Sequence, residues 1–269
     1  MDIHRHADSN DRHVNRCHCS LCIIGKVLQR NTRMICMKIS IPELSWSPYG
    51  LLVILSVILG FIVAVLLMRR FKVGKQTILY TCLLTFICTL VTSLTFSLEF
   101  TERGPVFGFS GLAGVIGMIG GVFLSGLILK DKPDSVMASF VAAAPLMYGL
   151  AKTGCLFAGC CHGKDYTGPL AIIYHGANEG SYFPAQLVDM TAFILIHILS
   201  LILVLKMKDK IKAIFTILAV TIPVRFLLEY LKYYHDGSII ASGQIKVLIA
   251  GGLAVILIVI WKKCLSAII

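Results

Sequence analysis

The feature that most constrains this sequence is a series of long apolar runs with few charged side chains. Several reach roughly 20 residues, about the length that a helix rising ~1.5 Å per residue needs to cross a hydrocarbon core ~30 Å thick. Of the 269 residues, 57% are hydrophobic and 14% are charged, whereas a soluble domain carries about 25% charged residues. Membrane β-barrels alternate polar and apolar residues over ~10-residue segments, and these runs do not alternate. The sequence therefore predicts an all-α polytopic membrane protein.

Seven spans are predicted, and their flanking charges indicate their orientation. The spans cover residues 49–68, 77–98, 107–129, 136–157, 184–205, 213–231 and 247–260. Basic residues collect after spans one, three and five and in the C-terminal tail, at Arg69, Arg70, Lys72, Lys75, Lys130, Lys132, Lys206, Lys208, Lys210, Lys212, Lys262 and Lys263. Because cytoplasmic loops collect Lys and Arg, we expect the N-terminus outside and the C-terminus in the cytoplasm. Trp46 and Trp261, at opposite span ends, are interpreted as interfacial anchors.

The formal net charge of +11 is interpreted as attraction to anionic lipid headgroups, with no nucleic-acid partner. Residues 1–36 fit the predicted orientation poorly, because their basic residues would lie outside. We expect a basic leader there, either disordered or untranslated, with initiation at Met34 or Met37. Residues 37–269 form the predicted seven-helix transmembrane domain. The run 17–22 has zinc-ligand residue types but lacks two separated ligand pairs, so no metal is assigned.

Polar residues within the spans gather in the predicted outer half of the membrane. Each central Lys, Arg or Asp costs roughly 2.5 to 3.5 kcal/mol to insert. Gln186 and Asp189 are three residues apart and so share a helix face. Toward the outer end of span six, Arg225, Glu229 and Lys232 follow at i, i+4 and i+7, which also predicts one shared face. The grouped residues are Lys152, Gln186, Asp189, Arg225, Glu229, Lys232 and Gln244. Arg225 and Glu229 alone could be an ion pair that locks the bundle, but the gathering at one end favours a shared cationic cavity suited to a phosphate.

Cys155, Cys160, Cys161 and His162 follow Lys152 closely. The thiols could be activated as thiolates. Equally, Cys155 could form a disulfide with Cys160 or Cys161 on the oxidising side of the membrane, or the thiols could simply pack at a helix end. The sequence leaves these three interpretations open.

Small residues recur every three or four positions in span three, at Gly111, Gly114, Gly117, Gly120, Gly121, Ser125 and Gly126. This pattern allows membrane helices to approach closely. Close packing is therefore the expected role, and a smooth wall for acyl chains is the alternative.

Five short motifs, taken in order, resemble the prolipoprotein diacylglyceryl transferase family over about residues 45–262. They are Ser47-Pro48-Tyr49-Gly50-Leu51, Phe109-Ser110-Gly111, the stretch from Gly154 to Gly163, Pro184-Ala185-Gln186-Leu187, and Arg225-Phe226-Leu227-Leu228-Glu229 with Lys232. The resemblance implies a multi-pass enzyme of the bacterial plasma membrane. Its substrates would be phosphatidylglycerol and the lipobox cysteine of an exported prolipoprotein, with glycerol phosphate released and no cofactor needed.

The chain departs from the family pattern at four positions. Lys152 and Lys232 stand where the family usually has arginine, Cys155 where it has asparagine, and Ser110 where it has histidine. Lysine cannot reproduce a bidentate phosphate clamp. The cysteine-rich stretch resembles a divergent branch of the family.

The resemblance also implies roles for the site residues. Lys152 and Arg225 would hold the phosphate, with Lys232 assisting near the rim, and Glu229 would orient Arg225. Gln186 and Asp189 would position headgroup hydroxyls, and His162 would be the base in place of the missing histidine. The remaining predicted substrate-binding residues are Tyr49, Ser110, Gly111, Gly154 and Gln244.

Two other classes of protein remain open at this point. A transporter or lipid-binding membrane protein would use a charged cavity, but would be expected to show internal repeats or helices broken at the midplane. A thiol-redox membrane protein would use Cys155, Cys160 and Cys161.

Overall fold

A computed structural model describes residues 38–42, 46–95, 98–101, 104–107, 111–176, 179–235 and 238–268. The predicted leader at 1–36 and the predicted site residue Ser110 lie outside the described residues.

Seven α-helices make up most of the described chain, in the order of the predicted spans. They are α1 (Tyr49–Arg70), α2 (Lys75–Thr95), α3 (Gly111–Leu129), α4 (Pro133–Ala158), α5 (Ala185–Lys206), α6 (Lys210–Leu228) and α7 (Ser242–Ile268). In the described part of the chain, six are long and apolar enough to cross a membrane, and the apolar stretch Ala113–Leu129 of α3 is shorter. The prediction of an all-α polytopic membrane protein is confirmed. The orientation stays a prediction from the charge distribution.

The chain between α2 and α3 differs from the prediction, which ran span two to residue 98 and began span three at 107. Here β2 (Leu98–Thr101) pairs antiparallel with β3 (Gly104–Phe107), with Leu98 opposite Phe107. Apolar content alone does not separate a strand from a helix, and Gly104 and Pro105 both oppose helix formation. The hairpin therefore shortens both predicted spans.

A small three-stranded sheet also forms, which the sequence did not predict. Strand β4 (Ile172–Tyr174) lies between β1 (Ile39–Ile41), to which it is parallel, and β5 (Gly180–Tyr182), to which it is antiparallel. The Tyr174 hydroxyl donates to Leu156 O at 2.8 Å. This bond ties the sheet to the end of α4 where the polar residues gather.

Helix α4 is the centre of the bundle, because it contacts α1, α3, α5 and α6. Helices α2 and α3 pack against each other through glycines. A Cβ on Gly117 would lie 2.6 Å from Cys88 O, and one on Gly121 would lie 2.6 Å from Thr85 Cα. The structure thus supports the packing interpretation of these glycines.

The interpretation of Trp261 as an interfacial anchor is wrong. Its side chain is fully buried against Gly126, where a Cβ would clash with the indole ring. The indole Nε1 donates to Asp134 Oδ1 at 3.1 Å. A carboxylate that satisfies the indole N–H removes the need for an interfacial position. Trp46 is 64% exposed, so its interpretation as an interfacial anchor stays a prediction.

Candidate active site

The end of α4 carries the first group of site residues and then turns back sharply. Gly159 caps the helix with φ 66°, and Cys160 N donates to Cys155 O at 3.1 Å. Cys161 then adopts φ 56°. Two left-handed residues within three positions fold the chain back, so the cysteines lie over the last turn of α4.

One buried carboxylate joins two lysines. Asp189 Oδ2 on α5 lies 2.5 Å from Lys232 Nζ and 3.4 Å from Lys152 Nζ. The side chains of Asp189 and Lys232 are fully buried, and that of Lys152 is 9% exposed. One carboxylate between two ammonium groups leaves this part of the site positively charged.

The predictions for Lys232 need two corrections. Helix α6 ends at Leu228 and is followed by a short 3-10 turn, Glu229–Leu231, so Lys232 does not share a helix face with Arg225 and Glu229. Instead its backbone is extended, and it forms a bridge with Gly163. It is also fully buried rather than near the rim. Burial lowers the pKa of Lys232, as does the charge of Lys152, while Asp189 raises it.

Arg225 and Glu229 form an ion pair, as their spacing suggested. The Tyr234 hydroxyl donates to Glu229 Oε2 at 2.7 Å. Burial, together with this hydrogen bond, raises the pKa of Tyr234, so the hydroxyl keeps its proton and remains a donor. Glu229 is thereby held between a cation and a hydroxyl. This geometry is suited to fixing the orientation of the Arg225 guanidinium.

Tyr148 brings the two cationic groups into one site. Lys152 Nζ lies 5.0 Å from the centroid of the Tyr148 ring, and Arg225 Cζ lies 5.3 Å from it. Both distances are in the range of cation–π contacts. Lys152 and Arg225 therefore flank one aromatic ring, and Arg225 Nη1 is buried with no hydrogen-bond partner among the described residues.

A cavity of about 130 Å³ extends from Arg225 and Tyr148 along the bundle. Its wall is otherwise apolar or glycine apart from Thr221. A second cavity, of about 80 Å³, shares Gly111, Val115, Met118, Ala144 and Tyr148 with the first. The predicted residue Gly111 thus lines both cavities.

The other predicted site residues have local structural partners. Gln186 Nε2 donates to Cys160 O at 2.8 Å and to the Tyr174 hydroxyl at 3.1 Å. Gln244 Oε1 accepts from Ala241 N at 2.6 Å at the start of α7. These contacts hold the segments around the cationic site.

Tyr49 and Gly154 lie together where α1 meets α4. A Cβ on Gly154 would be 3.2 Å from Tyr49 O. The pair thus allows the two helices to approach closely.

The His162 ring lies between two tyrosines. Ring centroids are 4.0 Å apart for Tyr182 and 4.3 Å apart for Tyr233. Its Nδ1 is 2.8 Å from Gly163 O. Since a carbonyl only accepts, this bond assigns the proton of the neutral ring to Nδ1 and a lone pair to Nε2.

Sequence reasoning missed Tyr148 and Tyr234. Tyr148 precedes Lys152 by four residues on α4 and so shares its face, a signal that the sequence does contain. Tyr234 has no comparable signal, because the chain around it is not helical.

With this geometry in view, comparison with known families is informative. A model of the prolipoprotein diacylglyceryl transferase family matches residues 36–263. The chain belongs to this family. Membership confirms the resemblance seen in the sequence and identifies the protein as a multi-pass membrane protein of lipoprotein biosynthesis. All the predicted site residues lie within the matched prolipoprotein diacylglyceryl transferase region. A search of curated proteins finds no significant match.

Proposed function

We propose that this protein transfers a diacylglyceryl group from phosphatidylglycerol to the thiol of a lipobox cysteine in an exported prolipoprotein. We place the reaction at the outer face of a bacterial plasma membrane. The observation that carries the proposal is a buried cationic site whose Arg225 also lines an apolar cavity.

The charges of the site suit a phosphodiester. Three cations, Lys152, Arg225 and Lys232, face two carboxylates, Asp189 and Glu229. The excess of one positive charge is the complement of the single negative charge on phosphatidylglycerol. Nη1 of Arg225 has no partner within the described chain and offers a donor for a phosphate oxygen. Such charge-assisted hydrogen bonds are among the stronger ones.

The cavity suits an acyl chain. A cavity needs only about 10–15 Å³ to hold one water, and this one has about 130 Å³. Its apolar wall offers water few hydrogen-bond partners, so a hydrocarbon chain is the favoured occupant. Arg225 and Tyr148, at one end of the cavity, would then lie at the boundary between the polar headgroup and the acyl chain of the lipid.

The same cations would serve the chemical step. The acceptor sulfur attacks the glycerol carbon, the bond from that carbon to the phosphate oxygen breaks, and the bonding electrons leave with glycerol phosphate. Fixed positive charge where negative charge accumulates is usually the largest catalytic effect. Glu229 and Tyr234 orient Arg225, Asp189 orients both lysines, and Gln186 holds the adjacent turn in place.

His162 remains our proposed acceptor for the thiol proton. The hydrogen bond from Nδ1 to Gly163 O leaves Nε2 of the neutral ring as the basic atom. Stacking between Tyr182 and Tyr233 fixes the plane of the ring.

The direct test incubates the purified protein, in bilayer discs, with radiolabelled phosphatidylglycerol and a lipobox peptide. We expect a peptide with a thioether-linked diacylglyceryl group, identified by mass, and no product when serine replaces the peptide's cysteine. A folded preparation that yields no modified peptide would refute the proposal.

Variants separate the site from the rest of the chain. Lys152→Gln and Arg225→Gln should each lower transfer at least tenfold, since each removes a charge from the phosphate site. Lys212→Gln is the matched control, because Lys212 is 76% exposed and pairs with the half-exposed Asp209 at the surface. Equal losses in all three variants would contradict the assignment.

A further inference from the structure

Three thiols form a cluster beside the cationic site. The Sγ atoms of Cys155, Cys160 and Cys161 all lie within 4.8 Å of one another, and all three cysteines are free. In a tetrahedral zinc site with Zn–S bonds of about 2.3 Å, the sulfurs stand about 3.8 Å apart. Shifts of less than about 1 Å would therefore complete a three-sulfur zinc site.

The backbone holds this cluster in a conformation that cysteine does not favour. Cys161 has φ 56°, a region that costs most residues energy and that glycine adopts freely. The neighbouring Gly159 uses that freedom with φ 66°. Together, these two left-handed residues turn the chain back, so that the Cys160 and Cys161 thiols come beside that of Cys155.

Polar contacts fix the same turn to the site. Gln186 Nε2 donates to Cys160 O at 2.8 Å, and Lys232 Nζ donates to Cys161 O at 3.4 Å. Lys152 precedes Cys155 by three residues, so the two share a face of α4. The thiols therefore adjoin the lysines that we assign to the phosphate.

These lysines also suit the charge of a zinc–thiolate centre. Zn²⁺ with three thiolates carries one negative charge, and a fourth thiolate adds a second. Lys152, Lys232 and Asp189 together carry one positive charge, which would balance zinc with three thiolates. Thiolate ligands select soft or borderline ions such as zinc.

We propose that Cys155, Cys160 and Cys161 bind a zinc ion whose fourth position takes the acceptor cysteine of the substrate. The identity of the fourth ligand rests on the proposed function. Three protein ligands with one open position are the arrangement of catalytic rather than structural zinc sites.

The reaction would then proceed through a zinc-bound thiolate. The substrate thiol would bind zinc and lose its proton to solvent by way of His162, since a coordinating thiol is deprotonated outright. A sulfur electron pair forms the new S–C bond to the glycerol carbon, and the electrons of the breaking C–O bond leave on the phosphate. Glycerol phosphate takes up one proton from solvent, so the net reaction is thiol plus phosphatidylglycerol giving thioether plus glycerol phosphate.

The sequence alone left thiolate, disulfide and packing interpretations of these three cysteines open and did not suggest a metal there. The turn at Gly159 and Cys161 brings the three sulfurs together.

The first test counts bound metal. The full chain is purified in detergent with a phosphine reductant, loaded with Zn²⁺, dialysed, and analysed by plasma mass spectrometry. All proteins compared carry Cys17→Ser, Cys19→Ser and Cys22→Ser, so that the run 17–22 offers no thiol. We expect one zinc per chain in this otherwise unaltered protein and in the control Cys264→Ser, and loss of that zinc in Cys161→Gly. The glycine variant suits the left-handed backbone and should fold. Less than one zinc in the otherwise unaltered protein, or a full zinc in Cys161→Gly, overturns the proposal.

The second test asks whether the fourth position is open. Co²⁺ replaces zinc, and the visible absorption of the cobalt is followed as a lipobox peptide is added. We expect the spectrum to change with the cysteine peptide and not with its serine counterpart. An unchanged spectrum with the cysteine peptide overturns the open-site proposal. A separate experiment alkylates the free thiols in membranes before lysis. A disulfide between any two of the three cysteines in that sample would also overturn the proposal.

The outcomes separate the zinc site from the transferase activity. Full lipid transfer after the metal is removed would overturn the zinc site and leave the proposed function standing. Stoichiometric zinc and a thiol-dependent cobalt spectrum without lipid transfer would support the zinc site and refute the proposed function.

Discussion

Replacing Asp189 by asparagine should destabilise the bundle strongly while keeping nearly the same shape. The side chain is fully buried, and its Oδ2 lies 2.5 Å from Lys232 Nζ and 3.4 Å from Lys152 Nζ. Without the carboxylate, two ammonium groups remain buried beside each other.

The magnitude follows from these distances. At an effective dielectric constant of about 20, the two attractions are about 7 kcal/mol for the 2.5 Å pair and about 5 kcal/mol for the 3.4 Å pair. Most of this attraction is offset by the cost of removing the three charges from water. Removing one partner of a buried pair costs about 3–5 kcal/mol. At about 2–4 °C per kcal/mol, the Tm should fall by roughly 10 °C.

Asp209→Asn is the matched control. Asp209 pairs with Lys212 at 3.8 Å, with side chains 50% and 76% exposed, and caps α6 by accepting from Lys212 N. Asparagine keeps such a cap, and an exposed pair contributes about 1 kcal/mol or less. Thermal unfolding in detergent, followed by circular dichroism, should show a much larger fall for Asp189→Asn. Equal Tm values for the two variants would refute this reasoning.

Three further predictions test other parts of the structure. Arg225→Lys should lower lipid transfer at least tenfold with little change in Tm, because the lysine ammonium lacks the planar two-nitrogen fork that binds phosphate in a bidentate manner; retained transfer would count against the guanidinium's role. Gly117→Ala should destabilise the protein by about 1–3 kcal/mol, since the new Cβ would approach Cys88 O. Gly120→Ala should not, because a Cβ there would have nothing within 4 Å among the described residues. Unfolding in detergent compares the two variants, and similar losses of stability would argue against close packing. Ala144 lines both cavities, so Ala144→Phe should fill part of that space and raise KM more for long-chain than for short-chain phosphatidylglycerol. An equal rise in KM for both lipids would place the acyl chain elsewhere.

The helical bundle could be predicted from the sequence because its determinant is local. An apolar run of sufficient length specifies a membrane helix by itself, and most of each predicted span lies in one of the helices α1 to α7. The sheet of β1, β4 and β5 could not be predicted in this way. Its strands are three residues each, and β1 pairs with a segment more than 130 residues away.

The gathering of site residues was predictable, but their contacts were not. Helical spacing placed Arg225 beside Glu229, and the structure confirms that pair. The same reasoning failed for Lys232 because α6 ends at Leu228. That lysine reaches Asp189 through an extended backbone, whose path depends on the bridge to Gly163.

We propose that one phosphatidylglycerol places its phosphate between Lys152 and Arg225, the cations that flank Tyr148. Solid-state NMR can measure the couplings between the lipid phosphorus and labelled side-chain nitrogens of Lys152 and Arg225 in bilayers. We predict that both nitrogens couple to one phosphorus at ion-pair distances, with N···O of about 4 Å or less, and that Lys152→Gln removes only the lysine signal. A phosphorus that couples to neither nitrogen, while the protein is saturated with lipid, would contradict the claim.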